Sequence, residues 1–179
     1  MFYTIKHLVT SFKYTPTATL ASLTNNNANF ITITTASIYA GLYNTVNQGK
    51  LKHLLDFFNN KHELTDSLIT TVIVTNFSNT LTHRFNITAT QAQNIAGYII
   101  PAVLQQLVNK TNDTADDSFT IERILKVLSS GQIKGDYFKM IVDKYNSGEL
   151  DNITGEEPEI TFTVFKPDNI FENLKAMLL

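Results

Sequence analysis

The stretch from Thr88 to Asn109, TATQAQNIAGYIIPAVLQQLVN, decides the fold of this chain. Its apolar residues recur at the i, i+3, i+4 and i+7 spacing of a single helical face, which predicts one long amphipathic helix. That face consists of Ala92, Ile95, Ala96, Ile99, Ile100, Val103, Leu104, Leu107 and Val108. We therefore expect this helix to form the centre of a small hydrophobic core.

Two local signals refine the prediction for this helix. Thr88 is the expected N-cap, and Gln91 follows three residues later, where a capping box requires it. Pro101 lies inside the apolar pattern, so its ring should crowd the carbonyl of Gly97 and remove one backbone hydrogen bond. We therefore assign structural roles to Thr88, Gly97 and Pro101, and predict a kink near Gly97.

Similar spacing predicts shorter helices on both sides of the central one. Gly49 is a natural stop for the second of them. These helices are Phe2–Phe12, Ala28–Val46, Lys50–Phe58, a helix capped by Thr65 or Asp66 that runs to Phe85, a helix capped by Asp117 or Ser118 that runs through Leu128, and Asp136–Tyr145.

Two of these segments carry runs of β-branched residues, ITITTASI at 31–38 and LITTVIV at 68–74, which locally favour strands. In the first segment the helical spacing nevertheless continues through Leu42 and Val46, and the second run has no evident partner strand nearby. We therefore predict helices at both. The apolar face expected for the second is Ile69, Val72, Ile73, Phe77, Leu81 and Phe85.

The character of the chain changes after Gly131. EITFTVF, Glu159–Phe165, alternates apolar and polar residues as a half-buried strand does, and Asp168 can cap a final helix. The predicted fold is therefore mainly α: a compact multi-helix bundle at 1–131 and a small strand-plus-helix appendage at 132–179. Because the strand has no evident partner in its own chain, we expect an interface formed by Ile160, Phe162, Val164, Phe171, Leu174 and Leu178.

Composition excludes several classes of function. The chain has 179 residues, a net charge of −2 and no cysteine, so it has no disulfides, no thiolate metal sites and no cysteine nucleophile. Its lysines and arginines are scattered singly, which argues against nucleic acid or an acidic membrane as a partner. No signal peptide and no membrane-spanning run is recognisable, so we expect a soluble cytoplasmic protein.

The acidic loop after the central helix is the feature that most resembles a site. Asn112, Asp113, Asp116 and Asp117 offer oxygen ligands that suit a hard cation, although the EF-hand spacing is missing. Such residues also cap helices and hold turns, and we favour that interpretation over a metal site.

Other catalytic signatures are missing from the sequence. The histidines, which are His7, His53, His62 and His83, form no recognised ligand pair, so a zinc site would have to assemble in three dimensions. There is no GxSxG elbow, no phosphate loop and no GxGxxG. We therefore predict no catalytic residues and no cofactor.

Aromatic residues are numerous, with twelve Phe and seven Tyr. Most fall on predicted apolar faces and are expected in the core. A subset is a candidate for exposed interface surface: Tyr39, Tyr43, Tyr98, Phe57 and Phe58.

Four segments carry a resemblance to a known family. They are MFYTIKHLV at 1–9, SIYAGLYNTVNQGKL at 37–51, NFSNTLTHRFNIT at 76–88 and QAQNIAGYIIPAVLQQLVNKTNDTADDSF at 91–119. In these the chain resembles the DUF937 (YidB-like) family of bacterial proteins, in its Bacteroidetes form. The resemblance covers roughly residues 1–131 and implies a compact all-helical fold. It implies no activity, because the family is one of unknown function.

These observations favour a non-enzymatic structural or interaction protein that self-associates or forms a subunit of a larger assembly. The alternative is a helical module that binds a small ligand or a metal ion through the acidic loop, residues 110–118.

Overall fold

The computed structural model describes residues 1–12, 28–60, 63–129 and 135–149, and only the backbone of 135–138. These residues form helices and no strand, as the mainly α prediction requires. The helices of this part of the chain are α1 (Phe2–Ser11), α2 (Ala28–Asn47), α3 (Leu51–Phe58), a 3₁₀ turn (Leu64–Asp66), α4 (Leu68–Phe85), α5 (Ala89–Thr111), α6 (Ile121–Leu128) and α7 (Gly135–Asn146).

The central helix, α5, confirms the strongest sequence prediction. All nine residues of the predicted face are buried, and α5 packs against α1, α2, α3 and α4. The capping box is also present: Gln91 N donates to Thr88 Oγ1 at 3.2 Å, and Thr88 N donates to Gln91 Oε1 at 3.0 Å. The helix continues through Pro101 to Thr111, so the proline does not end it.

Both β-branched segments are helical, within α2 and α4. In α4 the buried Thr70 hydroxyl has no hydrogen-bond partner among the described residues. In α2, by contrast, the threonine hydroxyls donate to carbonyls four residues earlier, as Thr34 does to Phe30 at 2.8 Å and Thr35 to Ile31 at 2.7 Å. These bonds satisfy the hydroxyls inside the helix, which lets α2 bury them beside Ile33 and Ile38. Tertiary burial of the apolar side chains then outweighs the local preference for strand.

Helix α2 ends at Asn47, and Gly49 terminates it as the sequence predicts. The φ of Gly49 is +70°, Gly49 N donates to Val46 O at 3.0 Å, and Lys50 N donates to Thr45 O at 3.1 Å. This pair of bonds is a Schellman motif, which needs a residue that tolerates the left-handed region. The chain therefore turns directly from α2 into α3.

Two predicted helix caps were wrong by a few residues. The N-cap of α4 is Ser67, whose hydroxyl accepts a bond from Ile69 N at 3.2 Å, rather than Thr65 or Asp66. Those two residues belong to the preceding 3₁₀ turn. The N-cap of α6 is Thr120, because residues 113–119 are held in turns before the helix begins.

Helix α7, the first predicted element beyond Gly131, packs on the same core as the helices before it. Ile141, Val142 and Tyr145 are buried with that core, and the Tyr145 hydroxyl donates to Asp56 Oδ1 of α3 at 2.6 Å. The other carboxylate oxygen of Asp56 lies 3.1 Å from Lys52 Nζ. The predicted division at residues 131 and 132 stays a prediction, and the strand and final helix expected after it lie outside the described residues.

Replacing Tyr145 with phenylalanine should lower the free energy of unfolding by about 1.5–3 kcal/mol, the typical value of a hydrogen bond to a charged group. The variant keeps the ring in the core and leaves Asp56 without its tyrosine donor. Urea denaturation followed by circular dichroism measures the change. Tyr3→Phe is the matched control, since Tyr3 is 69% exposed, and it should leave stability unchanged. Equal stability of both variants would contradict this role of the hydrogen bond.

Candidate functional site

The acidic loop uses its polar side chains to hold its own turns. Asp113 Oδ1 accepts a bond from Ala115 N at 3.0 Å, and Asp116 Oδ1 accepts one from Ser118 N at 3.0 Å. Asn112 Nδ2 donates to the Phe58 carbonyl at 2.8 Å and so ties the loop to the end of α3. Of the two interpretations left open by the sequence, these bonds favour turn formation.

Asp116 is the most strongly engaged of the four candidate ligands. Its Oδ2 lies 2.5 Å from Lys110 Nζ, and the Ser118 hydroxyl donates to its Oδ1. The bond from Lys110, followed by those from Ser118, lowers the pKa of Asp116 to about 2. Because Lys110 occupies one oxygen of this carboxylate and Ser118 the other, a cation would have to compete with both residues for Asp116. The fourth candidate ligand, Asp117, follows Asp116 in the chain and is exposed.

The depressed pKa of Asp116 makes a prediction about acid stability. The unfolded carboxyl has a pKa of 3.8 and the folded one about 2, so the stabilisation is complete above pH 4. It is lost as the pH falls through about 2, because protonation then removes the bond to Lys110. A carboxyl NMR titration should give a midpoint near pH 2 for Asp116. The free energy of unfolding of the Asp116→Asn variant should depend less on pH between 4 and 2 than that of the wild-type protein. A midpoint near 3.8 would contradict this.

The histidines are distributed over separate helices. His7 on α1, His53 on α3 and His83 on α4 are all exposed, and His62 lies outside the described residues. In the parts of the chain that the structure describes, no group of three or more His, Asp or Glu side chains is placed to hold a metal ion.

The aromatic candidates for exposed surface were mostly wrong. Tyr39, Tyr43, Phe57 and Phe58 are all buried, and Tyr98 alone of the five is exposed, at 44%. Tyr39 stacks on Tyr43 with ring centroids 6.2 Å apart, and burial, followed by the charge of Tyr43, raises the pKa of Tyr39. The rings belong to α2 and α3, and Phe2 of α1 packs edge to face against Tyr39 with ring centroids 6.0 Å apart.

A small cavity of about 300 Å³ lies between the start of α2 and the end of α4. It is lined by Asn29, Thr32, Ile33, Arg84 and Phe85. The Thr32 hydroxyl is committed to the Ala28 carbonyl at 2.7 Å, and Asn29 and Arg84 also interact with other groups. These bonds alone therefore identify no ligand for this cavity.

Helix α4 exposes one apolar side chain that sequence reasoning placed in the core. Val72 was predicted on the buried face, yet it is 45% exposed, and Leu68 one turn earlier is 57% exposed. The buried line of α4 instead runs through Ile69, Ile73, Phe77 and Leu81, with Thr70, Val74 and Ser78 beside it. With 3.6 residues per turn, residues two positions apart lie on opposite sides of a helix, so Val72 and Val74 cannot share one face.

The hairpin of α4 and α5 is also unusually poor in charge. From Ser67 to Asn109 the only formally charged side chain is that of Arg84. Apart from His83, Arg84, Ala89 and Gly97, the exposed residues of these helices are Thr, Asn and Gln, with Leu68, Val72 and Tyr98 among them. Depletion of charge with an exposed aromatic or aliphatic residue is the compositional mark of a protein interface. The sequence already contained this signal, as a gap between charged residues.

The remaining predicted interface residues lie outside the described part of the chain: Ile160, Phe162, Val164, Phe171, Leu174 and Leu178. Of the helices that the structure describes, none is long and apolar enough to cross a membrane. No family model, no curated protein and no solved structure matches the chain. The resemblance to the DUF937 family therefore stays a prediction.

Proposed function

We propose that this protein is a non-enzymatic structural or interaction protein that self-associates or forms a subunit of a larger assembly. One observation carries the proposal, the charge-poor hairpin of α4 and α5 with Leu68, Val72 and Tyr98 exposed on it. Burying a surface of this composition against a partner lowers the free energy of the system. The surface also holds few charges whose desolvation would oppose binding.

The resemblance to the DUF937 family is compatible with this proposal, because it implies a helical scaffold without an assigned activity. We also propose a cytoplasmic location and partners that are proteins rather than nucleic acids or membranes. The chain's lack of cysteine and its scattered cations support those choices.

The oligomeric state of the full chain tests the proposal. Size-exclusion chromatography with light scattering, over a hundredfold concentration range, should show a mass that rises above the 20.1 kDa of one chain. A companion pull-down at low salt should recover copies of the protein or a defined partner. A strictly monomeric chain that recovers no partner would overturn the proposal.

The C-terminal segment provides a second, separate prediction. Deleting Pro158–Leu179 should reduce association, because it removes all six apolar residues assigned to the predicted interface. Phe162→Asp and Leu174→Asp in the full chain should act in the same direction. The unfolding transition of each variant is the control, since the described core does not include this segment. Unchanged association in all three would exclude the segment from the interface.

A further inference from the structure

The cavity between α2 and α4 has a lining that divides by chemistry. Its volume of about 300 Å³ is at the lower end of the range for small-molecule sites. Two of its lining residues are apolar, Ile33, which is buried, and Phe85, which is half-buried. Asn29 and Arg84 are polar and exposed. The cavity therefore has an apolar inner part and a cationic mouth.

The charges of the surrounding helices make this cavity positive. Arg84 is the only formal charge on α2 and α4, with histidine counted as neutral. Residues 1–55 and 67–112 contain no Asp or Glu, so α1 and α5, which pack beside these two helices, also bring no carboxylate. Asp66 precedes α4 and the acidic loop follows α5, so both lie at the opposite ends of helices about 27 Å and 35 Å long.

The dipoles of the two helices do not change the sign of this potential. The amino end of α2 and the carboxyl end of α4 meet at the cavity, and their partial charges of about +0.5 and −0.5 are opposite. The full charge of Arg84 therefore decides the sign. Its guanidinium has five N–H donors, more than a single neighbouring group can use, and they lie in the fork that matches a carboxylate.

We propose that this cavity binds a small organic carboxylate with a short apolar body. The carboxylate accepts two parallel bonds from the guanidinium of Arg84, with the amide of Asn29 beside them. The apolar body lies against Ile33 and Phe85, where its removal from water favours binding. An inorganic anion would leave that inner part unfilled, which is why the ligand is an organic acid. This inference goes beyond the proposed function, because the site needs no second copy.

Benzoate is the probe for this site. Titration of the full chain with sodium benzoate at constant ionic strength, followed by NMR, should shift the Ile33 methyl and Arg84 Nε–H signals on one saturable curve. We expect a Kd of about 1 mM or lower. Benzamide, which has the same ring and no charge, should bind at least about tenfold more weakly because it lacks the charge-assisted bonds. The absence of a saturable shift with benzoate would overturn the proposal.

Arg84→Gln tests the cation, and Arg123→Gln is the matched control. Arg84→Gln removes the guanidinium but keeps an uncharged amide, so the Kd for benzoate should rise at least about tenfold. Arg123, the other arginine of the chain, is exposed on α6 and donates to the Ser118 carbonyl at 3.2 Å. Its replacement should leave the Kd unchanged. Equal Kd values for both variants would exclude Arg84 from the site.

Asn29→Asp tests the site with a variant that should fold at least as well as the wild-type chain. It places a carboxylate of nearly the same shape in the cavity wall, where that carboxylate competes with the ligand for Arg84. Benzoate binding should weaken at least about tenfold, and the midpoint of thermal unfolding should rise by about 1–3 °C. Unchanged benzoate binding by this variant would contradict a carboxylate site beside Asn29.

Two further outcomes separate the ligand class and the proposed function from this inference. Inorganic phosphate that binds as tightly as benzoate would overturn the assignment to an organic carboxylate, because phosphate has no apolar body. The titration does not depend on self-association. A strictly monomeric chain that binds benzoate would leave this inference intact and count against the proposed function, whereas a chain that associates but does not bind benzoate would do the reverse.

Discussion

Replacing Phe77 with alanine should lower the free energy of unfolding by about 3–5 kcal/mol, the range for removing a buried aromatic ring. Phe77 is 0% exposed and lies on the inward face of α4. Its ring meets that of Phe30 edge to face, with centroids 6.0 Å apart, and Phe30 makes the same kind of contact with Phe85. The variant therefore loses buried area, ring contacts and the packing of two neighbours at once.

The expected loss in free energy of unfolding is large because the surrounding helices cannot move in to fill the space left by the Phe77 ring. Phe77 lies where α4 packs against α2, and both helices are also held by α5. Neither helix can move into the space left by the ring without disturbing its other contacts, so a cavity should remain. Total stabilities of natural domains are about 5–15 kcal/mol, so this variant approaches unfolding at room temperature.

Chemical denaturation with tyrosine fluorescence and far-ultraviolet circular dichroism measures the loss. Tyr3→Ala is the control: it also removes an aromatic ring, from a residue that is largely exposed, and should cost less than about 1 kcal/mol. If Phe77→Ala costs no more than Tyr3→Ala, the proposed packing of α4 on α2 is incorrect.

Gly41→Ala should destabilise the protein by about 1–3 kcal/mol, although alanine is the better helix former. At Gly41, α2 approaches α4 so closely that an added Cβ would overlap Ile73 Cγ1 and lie 2.7 Å from Ile73 Cδ1. Ile73 is buried and β-branched, so its side chain has a single comfortable rotamer in a helix and cannot turn aside. The helices would have to separate.

Gly97→Ala is the matched control, and its effect should have the opposite sign. Gly97 also lies inside a helix, but it is exposed and an added Cβ would meet nothing within 4 Å. Alanine there should stabilise the protein by about 0.5–1 kcal/mol through its lower conformational entropy in the unfolded chain. A stabilising Gly41→Ala would contradict the close approach of α2 and α4.

A double-mutant cycle identifies the atom responsible. Ile73→Ala removes the overlapping Cγ1, so Gly41→Ala should cost nothing in that background. The interaction free energy should therefore be favourable and close in size to the cost of Gly41→Ala alone. An additive cycle would place the strain somewhere other than Ile73.

Sequence alone predicted the elements whose signal is local and repeated. The nine apolar residues of α5 repeat one helical spacing along the helix, and Thr88 and Gln91 mark its start with a specific pair of hydrogen bonds. The β-branched runs in α2 and α4 were also assigned correctly, because the helical spacing extended beyond them. In each case, several residues agreed on one structure.

Two helix caps were misplaced locally, by one to three residues, whereas the other predictions that failed depended on contacts between distant parts of the chain. Whether Val72 or Val74 faces the core depends on how α4 is rotated against α2 and α5, which its own sequence leaves ambiguous. The bonds from Tyr145 to Asp56 and from Asn112 to Phe58 join residues 89 and 54 positions apart. No local pattern predicts such pairs. The candidate association surface was equally hard to predict from the sequence, because it carries no reactive motif that could be recognised.

The gap in charge along α4 and α5 also has a practical consequence for mapping contacts. Between Asp66 and Lys110 the chain has no lysine, aspartate, glutamate or cysteine. Cross-linking reagents that target amines, carboxylates or thiols therefore find no reactive group there, and cross-linked peptides will under-represent any contact made through this surface. A photoreactive amino acid or a single engineered cysteine at Val72 would introduce the missing reactive group.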